Sequence, residues 1–303
     1  MTAVKLERNA DGGVTGNVPI EGLQARTMLV ELHVSVWNVE LLDRKTGREV
    51  AKQKGAKDGA VKAHRILAPK APIEPLRKVE RQARADHYRL TLPWGKHQRI
   101  LSSALFFEHS ELVAQDRREE FEQALRKFVR EDYPRILVDA PAFMGELWDP
   151  RLFPHPSEIA KKFAFRVEIS PVPEAGDFRV ELGAETERRL RRQIERSVVD
   201  RALEAQRHLW GQLKDRLGHY AAVTADEDRD FKDSTVEKMA ELAALAPKMS
   251  LAPDPLLEEI CAEIAALGRR HTADELQAND LARSAAAREA ARIEAKMAAA
   301  FGC

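Results

Sequence analysis

Lys52, Lys54, Lys57, Lys62 and Arg65 place five cationic side chains within fourteen residues, interrupted by Gly55 and Gly59. The chemistry open to such a group is electrostatic. Ammonium and guanidinium groups neutralise phosphates, and glycines let a backbone come close to a phosphate chain. Arg77, Lys78 and Arg81 continue the series, so that the stretch 44–84 holds thirteen Lys and Arg against four Asp and Glu. The whole chain has a formal net charge of zero, so the remainder is acidic by the same nine charges. A basic strip on a neutral protein directs its field toward polyanions without making the entire surface adhesive. The competing reading is a solvated loop and helix whose charge offsets acidic surface elsewhere. The strip itself contains no Phe, Tyr or Trp, so a platform for stacking bases would have to come from Trp37, Tyr88 or Trp94 on its flanks.

A second cationic group, Arg188, Arg189, Arg191, Arg192 and Arg196, falls in the first turns of an expected long helix, where positive charge opposes the helix dipole. Glu185, Glu187 and Glu195 offer local pairing as the structural explanation, the one expected here; a bound anion or an acidic partner is the functional one.

Other constellations carry less. Asp226, Asp228, Asp230 and Glu237 match positions 1, 3, 5 and 12 of a calcium loop. Phe231, however, stands where the turn demands Gly, and Glu237 has the spacing of a capping box with Ser234. Glu146 and Asp149 flank Trp148 with no third group converging on them, which reads as a solvated helix end. None of the nine histidines lies three or four residues from another, so no helical metal pair is presented. The phosphate-loop, dinucleotide, zinc-protease, nucleophile-elbow and C-x-x-C motifs are absent. Cys261 belongs to the apolar series Leu257, Ile260, Ile264, Leu267, and Cys303 ends the chain, so no disulfide framework is expected. These readings predict a non-enzymatic protein with no cofactor and no metal.

The elements that must position these groups follow from periodicity. Residues 1–25 are polar and glycine-containing and are expected to stay flexible. From Val30 the alternation Val30, Leu32, Val34, Val36 shifts phase at Trp37, Val39, Leu41, the pattern of either a bulged strand or one buried on both faces. Two short helical patterns follow in the basic segment, the second over 74–86, then a hairpin turning at Pro93-Trp94-Gly95-Lys96. Helical spacing covers 111–133, with a break or kink at Tyr133-Pro134 and a second helix toward Trp148. Phe165-Arg166-Val167-Glu168-Ile169 and Phe178-Arg179-Val180-Glu181-Leu182 repeat one pattern and predict an antiparallel hairpin with Arg166 facing Glu181. A helix is predicted over 185–217 with Leu190, Ile194, Leu209 and Leu213 buried, Arg192 and Arg196 exposed, and Trp210 covered by the body or by another copy of the chain. Another begins near Thr235, and Pro247, Pro253 and Pro255 predict a linker before an Ala-rich helical tail. The fold class expected is α+β, an antiparallel sheet followed by long C-terminal helices. Its divisions are a body over 26–184, a long-helix region over 185–250 and a tail over 251–303. No apolar run is long enough to span a membrane and no signal peptide is evident, so a cytoplasmic location is expected.

Two segments carry a resemblance. His87-Tyr88-Arg89-Leu90-Thr91-Leu92-Pro93-Trp94-Gly95 and Pro171-Val172-Pro173-Glu174-Ala175-Gly176-Asp177-Phe178-Arg179-Val180 resemble the best-marked motifs of a phage and plasmid protein family of unknown function, over about residues 26–250. That family is often encoded beside MoxR-type AAA+ ATPases and proteins with a von Willebrand A-like domain. The resemblance implies an accessory, protein-binding role in a multi-protein machine and supplies no catalytic residues. The leading expectation is therefore an adaptor that engages such an ATPase or von Willebrand A-like partner through its helical half. The alternative is a nucleic-acid-binding protein of the strand-annealing or recombination type that uses the segment 44–84.

Overall fold

The computed structural model describes residues 5–8, 14–17, 20–174, 183–226, 233–270 and 273–301. Strands Lys5–Arg8 (β1) and Val14–Asn17 (β2) form an antiparallel pair, so part of the segment expected to be flexible carries a backbone ladder. A short helix Ile20–Gln24 (α1) leads into strand Thr27–Ser35 (β3), then Glu40–Asp43 (β4), helix Arg44–Gln53 (α2) and strand Ala63–Ile66 (β5). Helix Glu74–Leu90 (α3) precedes the hairpin Leu92–Trp94 (β6) and Gln98–Ser102 (β7). A helical run follows: Phe106–His109 (α4), Arg117–Lys127 (α5) and Tyr133–Met144 (α6), joined by wider π-type turns at Ser110–Asp116 and Phe128–Asp132. Strand Ala164–Ser170 (β8) comes next, and then helices Ala184–Ala225 (α7), Asp233–Met249 (α8), Pro255–Arg270 (α9), Ala273–Ala278 (α10) and Asp280–Phe301 (α11). The fold is α+β, with a four-stranded sheet in the order β6-β7-β3-β8 and long C-terminal helices.

Several local expectations change for physical reasons. The phase shift at Val36 and Trp37 is neither a bulge nor a strand buried on both faces; β3 stops at Ser35 and β4 belongs to a separate two-stranded sheet with β5. Val34, Trp37 and Val39 can then all enter one core across the break. The hairpin turns where predicted, but α3 runs to Leu90 rather than ending at Asp86, so Tyr88 and Leu90 are helical. Pro134 falls where the π-type turn Phe128–Asp132 passes into α6, so the helical run continues through it with a local change of winding rather than ending. Pro247 lies inside the last turn of α8 rather than in a linker. Phe165–Ile169 is a strand, but its neighbour in the sheet is β3, and Ile169 is 52% exposed. Phe178–Leu182, the expected partner, lies outside the described residues, as do Asp228, Asp230 and Phe231 of the calcium-like series. Ser234 falls within α8 rather than before it.

The chain divides into two compact units: Met1–Glu31, Tyr88–Glu108 and Ile169–Cys303 make one, Leu32–His87 and His109–Glu168 the other. In the first, α7 packs on β6, α8 and α11, and α9 packs on α8 and α11, so the Ala-rich tail docks on its own chain. The buried stripe Ala282, Ala286, Ala290, Ile293, Met297 recurs every three or four residues and gives α11 one apolar face. Lys296 bonds Glu263 at 2.7 Å and Glu259 at 2.7 Å, while Arg292 reaches Glu263 at 2.9 Å, which ties α11 to α9. Helix α7 is continuous through the predicted range, Leu209, Leu213 and Trp210 are buried, and Arg192 and Arg196 are exposed. Leu190 and Ile194 are only half-buried, because the buried residues of this helix begin at Val198.

The second unit has an aromatic core. Trp37 meets Tyr133 edge-on at 5.6 Å between ring centroids and lies 6.4 Å from both Phe128 and Phe153. Leu67, Ile73, Leu76, Phe121 and Ile159 complete it with almost no exposed area.

Candidate nucleic-acid interface

The basic segment builds its own support within the second unit. Strands β4 and β5 pair with Leu42 opposite His64 and Asp43 opposite Ala63, and α2 fills the connection between them. Asp43 organises this module. Its carboxylate accepts from the Thr46 backbone N–H and hydroxyl, each at 3.0 Å, which caps α2, and from Arg65 Nη2 at 2.6 Å. The Thr46 amide first, with the Arg65 guanidinium next, lowers the Asp43 carboxyl from 3.8 to about 2. Gly47 lies where a Cβ would come 3.0 Å from the Val61 carbonyl oxygen, so the loop returning to β5 can lie against α2. Gly55 and Gly59 have φ of +64° and +87° with open space around them, so they serve the turns of this loop.

The candidate cations separate into two groups. Arg65 is structural, held by Asp43 and directed toward the Leu147 carbonyl oxygen. Arg81 bonds Glu74 at 2.5 Å, Arg84 bonds Glu80 at 3.1 Å and Lys70 bonds Glu40 at 2.9 Å. Arg77 is half-buried, with its Nε lacking a hydrogen-bond partner. Lys52, Lys54, Lys57, Lys62 and Lys78 are exposed and form no ion pair with a described residue. On the outer face of the small sheet Leu42 and Ile66 are 49% and 45% exposed.

The flanking aromatics are not a stacking platform. Trp37 and Trp94 are 6% and 1% exposed and belong to the cores of their respective units. Their apolar environment explains why an aromatic near a basic run says little about base contact. Tyr88 is half-exposed, but the Arg99 guanidinium lies 4.7 Å over its ring and occupies one face.

Of the arginines at the start of α7, Arg191 pairs with Glu187 at 2.6 Å and Arg188 donates to the Ala184 carbonyl oxygen. Arg189, Arg192 and Arg196 are exposed and form no ion pair with a described residue, so local pairing accounts for Arg191 and not for them.

One constellation escaped the sequence reading. His87 and His109, twenty-two positions apart, join ring nitrogens at 2.9 Å with both rings buried; one nitrogen donates and the other accepts. Burial pushes the His109 imidazole down from 6.5 to about 4. Only the fold brings them together, so no spacing rule signals the pair. Among the described residues no group of three or more His, Cys, Asp or Glu could hold a metal ion, and no helix is long and apolar enough to cross a membrane. No family model, no curated protein and no solved structure matches this chain.

Proposed function

We propose that this protein binds nucleic acid in the cytoplasm through its basic segment, by contact with the phosphate backbone. The observation that supports this reading is the exposure of Lys52, Lys54, Lys57 and Lys62, none ion-paired with a described residue, around one folded β-α-β module. The burial of Trp37 and Trp94 favours phosphate contact over base stacking, and hence binding that tolerates many sequences. A strand-annealing or recombination role is compatible with such tolerance. Fluorescence anisotropy with single-stranded and duplex DNA at two salt concentrations tests it. Replacing the four lysines with Gln is expected to weaken binding to all sequences and to flatten the duplex salt slope by about 3 to 4, from about 0.9 per phosphate contact. Absence of binding to DNA or RNA of either form at low salt refutes it.

A second reading, an adaptor for a MoxR-type AAA+ ATPase or a von Willebrand A-like protein, draws on a different feature. Val138, Phe143 and Leu147 leave large apolar side chains 78%, 50% and 52% exposed along residues 133–147 of the second unit. In this case Val138→Asp with Phe143→Asp abolishes co-elution with the purified ATPase, while the lysine variant retains it.

A further inference from the structure

The first half of α7 presents a groove of about 660 Å³, lined by Arg189, Arg192, Arg196 and Arg201 together with Gln193 and Asp200. None of the four arginines forms an ion pair with a described residue, and neither does Asp200, the one carboxylate among the described lining residues. At 1.5 Å of rise per residue Arg189, Arg192 and Arg196 lie along one face over roughly 10 Å of helix, with Arg201 at the far edge of the groove toward the β6–β7 hairpin, a length suited to more than one phosphate. Guanidinium forks match phosphate oxygens in pairs, which gives arginine an advantage over lysine on such a line.

Two further observations belong to the hairpin of the same unit. The Arg201 guanidinium lies against this hairpin: its Cζ is 3.6 Å from where a Cβ would stand on Gly95, whose φ of +69° forms the β6–β7 turn. Arg99, on β7, is half-buried and bonds Thr91 through its hydroxyl and its carbonyl oxygen, each at 2.6 Å, with no carboxylate partner among the described residues. Its charge reaches α7, where His208 is lowered by burial and then by Arg99. A guanidinium withdrawn from water without a counter-charge is costly in isolation. It adds positive potential on the side of α7 where Arg201 rests against the hairpin.

We infer that the Arg189–Arg192–Arg196–Arg201 groove is a second phosphate-binding track, which takes the sugar-phosphate backbone of a nucleic-acid strand separately from the lysine module. The inference rests on the nucleic-acid reading above and assigns it a second surface.

The test uses the full chain and a 5′-fluorescein oligothymidylate, titrated at low and moderate salt. Arg189→Gln/Arg192→Gln/Arg196→Gln changes only exposed side chains, and an unchanged melting temperature verifies the fold. Its affinity is expected to fall at least about tenfold at low salt, and its salt slope by about 2, from about 0.7 per contact on a single strand. The same loss is expected when the three changes are made in the lysine-to-Gln background. Arg→Lys at the three positions should retain the slope and recover only part of the affinity, because charge is kept and the fork is lost. Asp200→Asn should tighten binding. If the triple variant binds with the parent's affinity and slope while the lysine variant collapses, the groove is overturned and the lysine module stands. If the arginine variant collapses while the lysine variant binds like the parent, the groove stands and the lysine assignment fails. No binding by the parent overturns both.

Discussion

The two units of this protein build their cores from different mixtures of side chains. In the unit containing residues 32–87 and 109–168, six large rings, those of Trp37, Phe121, Phe128, Tyr133, Phe153 and Phe163, share one cluster. In the other, α7, α8, α9 and α11 surround Trp94, Trp210 and Tyr220 with many alanines and aliphatics such as Ala202, Ala205, Leu209, Ala243, Ala246, Ile260, Ala286 and Ala290. A regular helix can distribute its burial over many small side chains because its neighbours run alongside it for several turns. Short strands, π-type turns and loops lack that shared length, so single large rings must fill irregular space. The same contrast extends to the surface charge. Lysines gather at the end of α2 and in the glycine-turned loop after it, whereas the arginines sit on the first half of α7.

The comparison is broken most easily at Trp37. Trp37→Ala should destabilise the protein by about 3–5 kcal/mol, more than Leu209→Ala, since a ring shared with three aromatic neighbours leaves a void that cannot collapse. Urea titration of both variants decides, and equal losses would remove the distinction between the cores. A smaller effect is expected from pH. His109 is neutral in the fold and its ordinary value is 6.5, so its contribution is complete above that pH and is lost as pH falls through about 4. Unfolding free energy should drop by up to about 3 kcal/mol across that window, and a His109→Gln variant should show a flatter profile. The smallest effect belongs to the surface charge. Lys52→Gln, Lys54→Gln, Lys57→Gln and Lys62→Gln together should shift unfolding free energy by no more than about 0.5 kcal/mol, because these side chains touch little and pair with no described carboxylate.

Legibility followed the length over which each signal repeats. The α7 stripe, the turn at Gly95 and the helical spacing of the tail were readable because each repeats over several turns or names a required backbone conformation. The body was harder. At Val36 and Trp37 the pattern recorded a change of sheet, which one strand's alternation cannot distinguish from a bulge. The candidate site was partly legible. Its cations were visible by type and spacing, but which of them are neutralised depended on carboxylates brought in by folding, such as Asp43 for Arg65 and Glu74 for Arg81.

By itself the sequence determined the α+β class, the long helix and the concentration of positive charge in 44–84, since local periodicity and composition are properties of neighbours along the chain. Tertiary structure alone decided that Trp37 and Trp94 are core and not platform, that His87 meets His109, and that the Arg201 guanidinium lies against Gly95. Burial and pairing depend on what a distant part of the chain supplies, and no spacing within a segment records that.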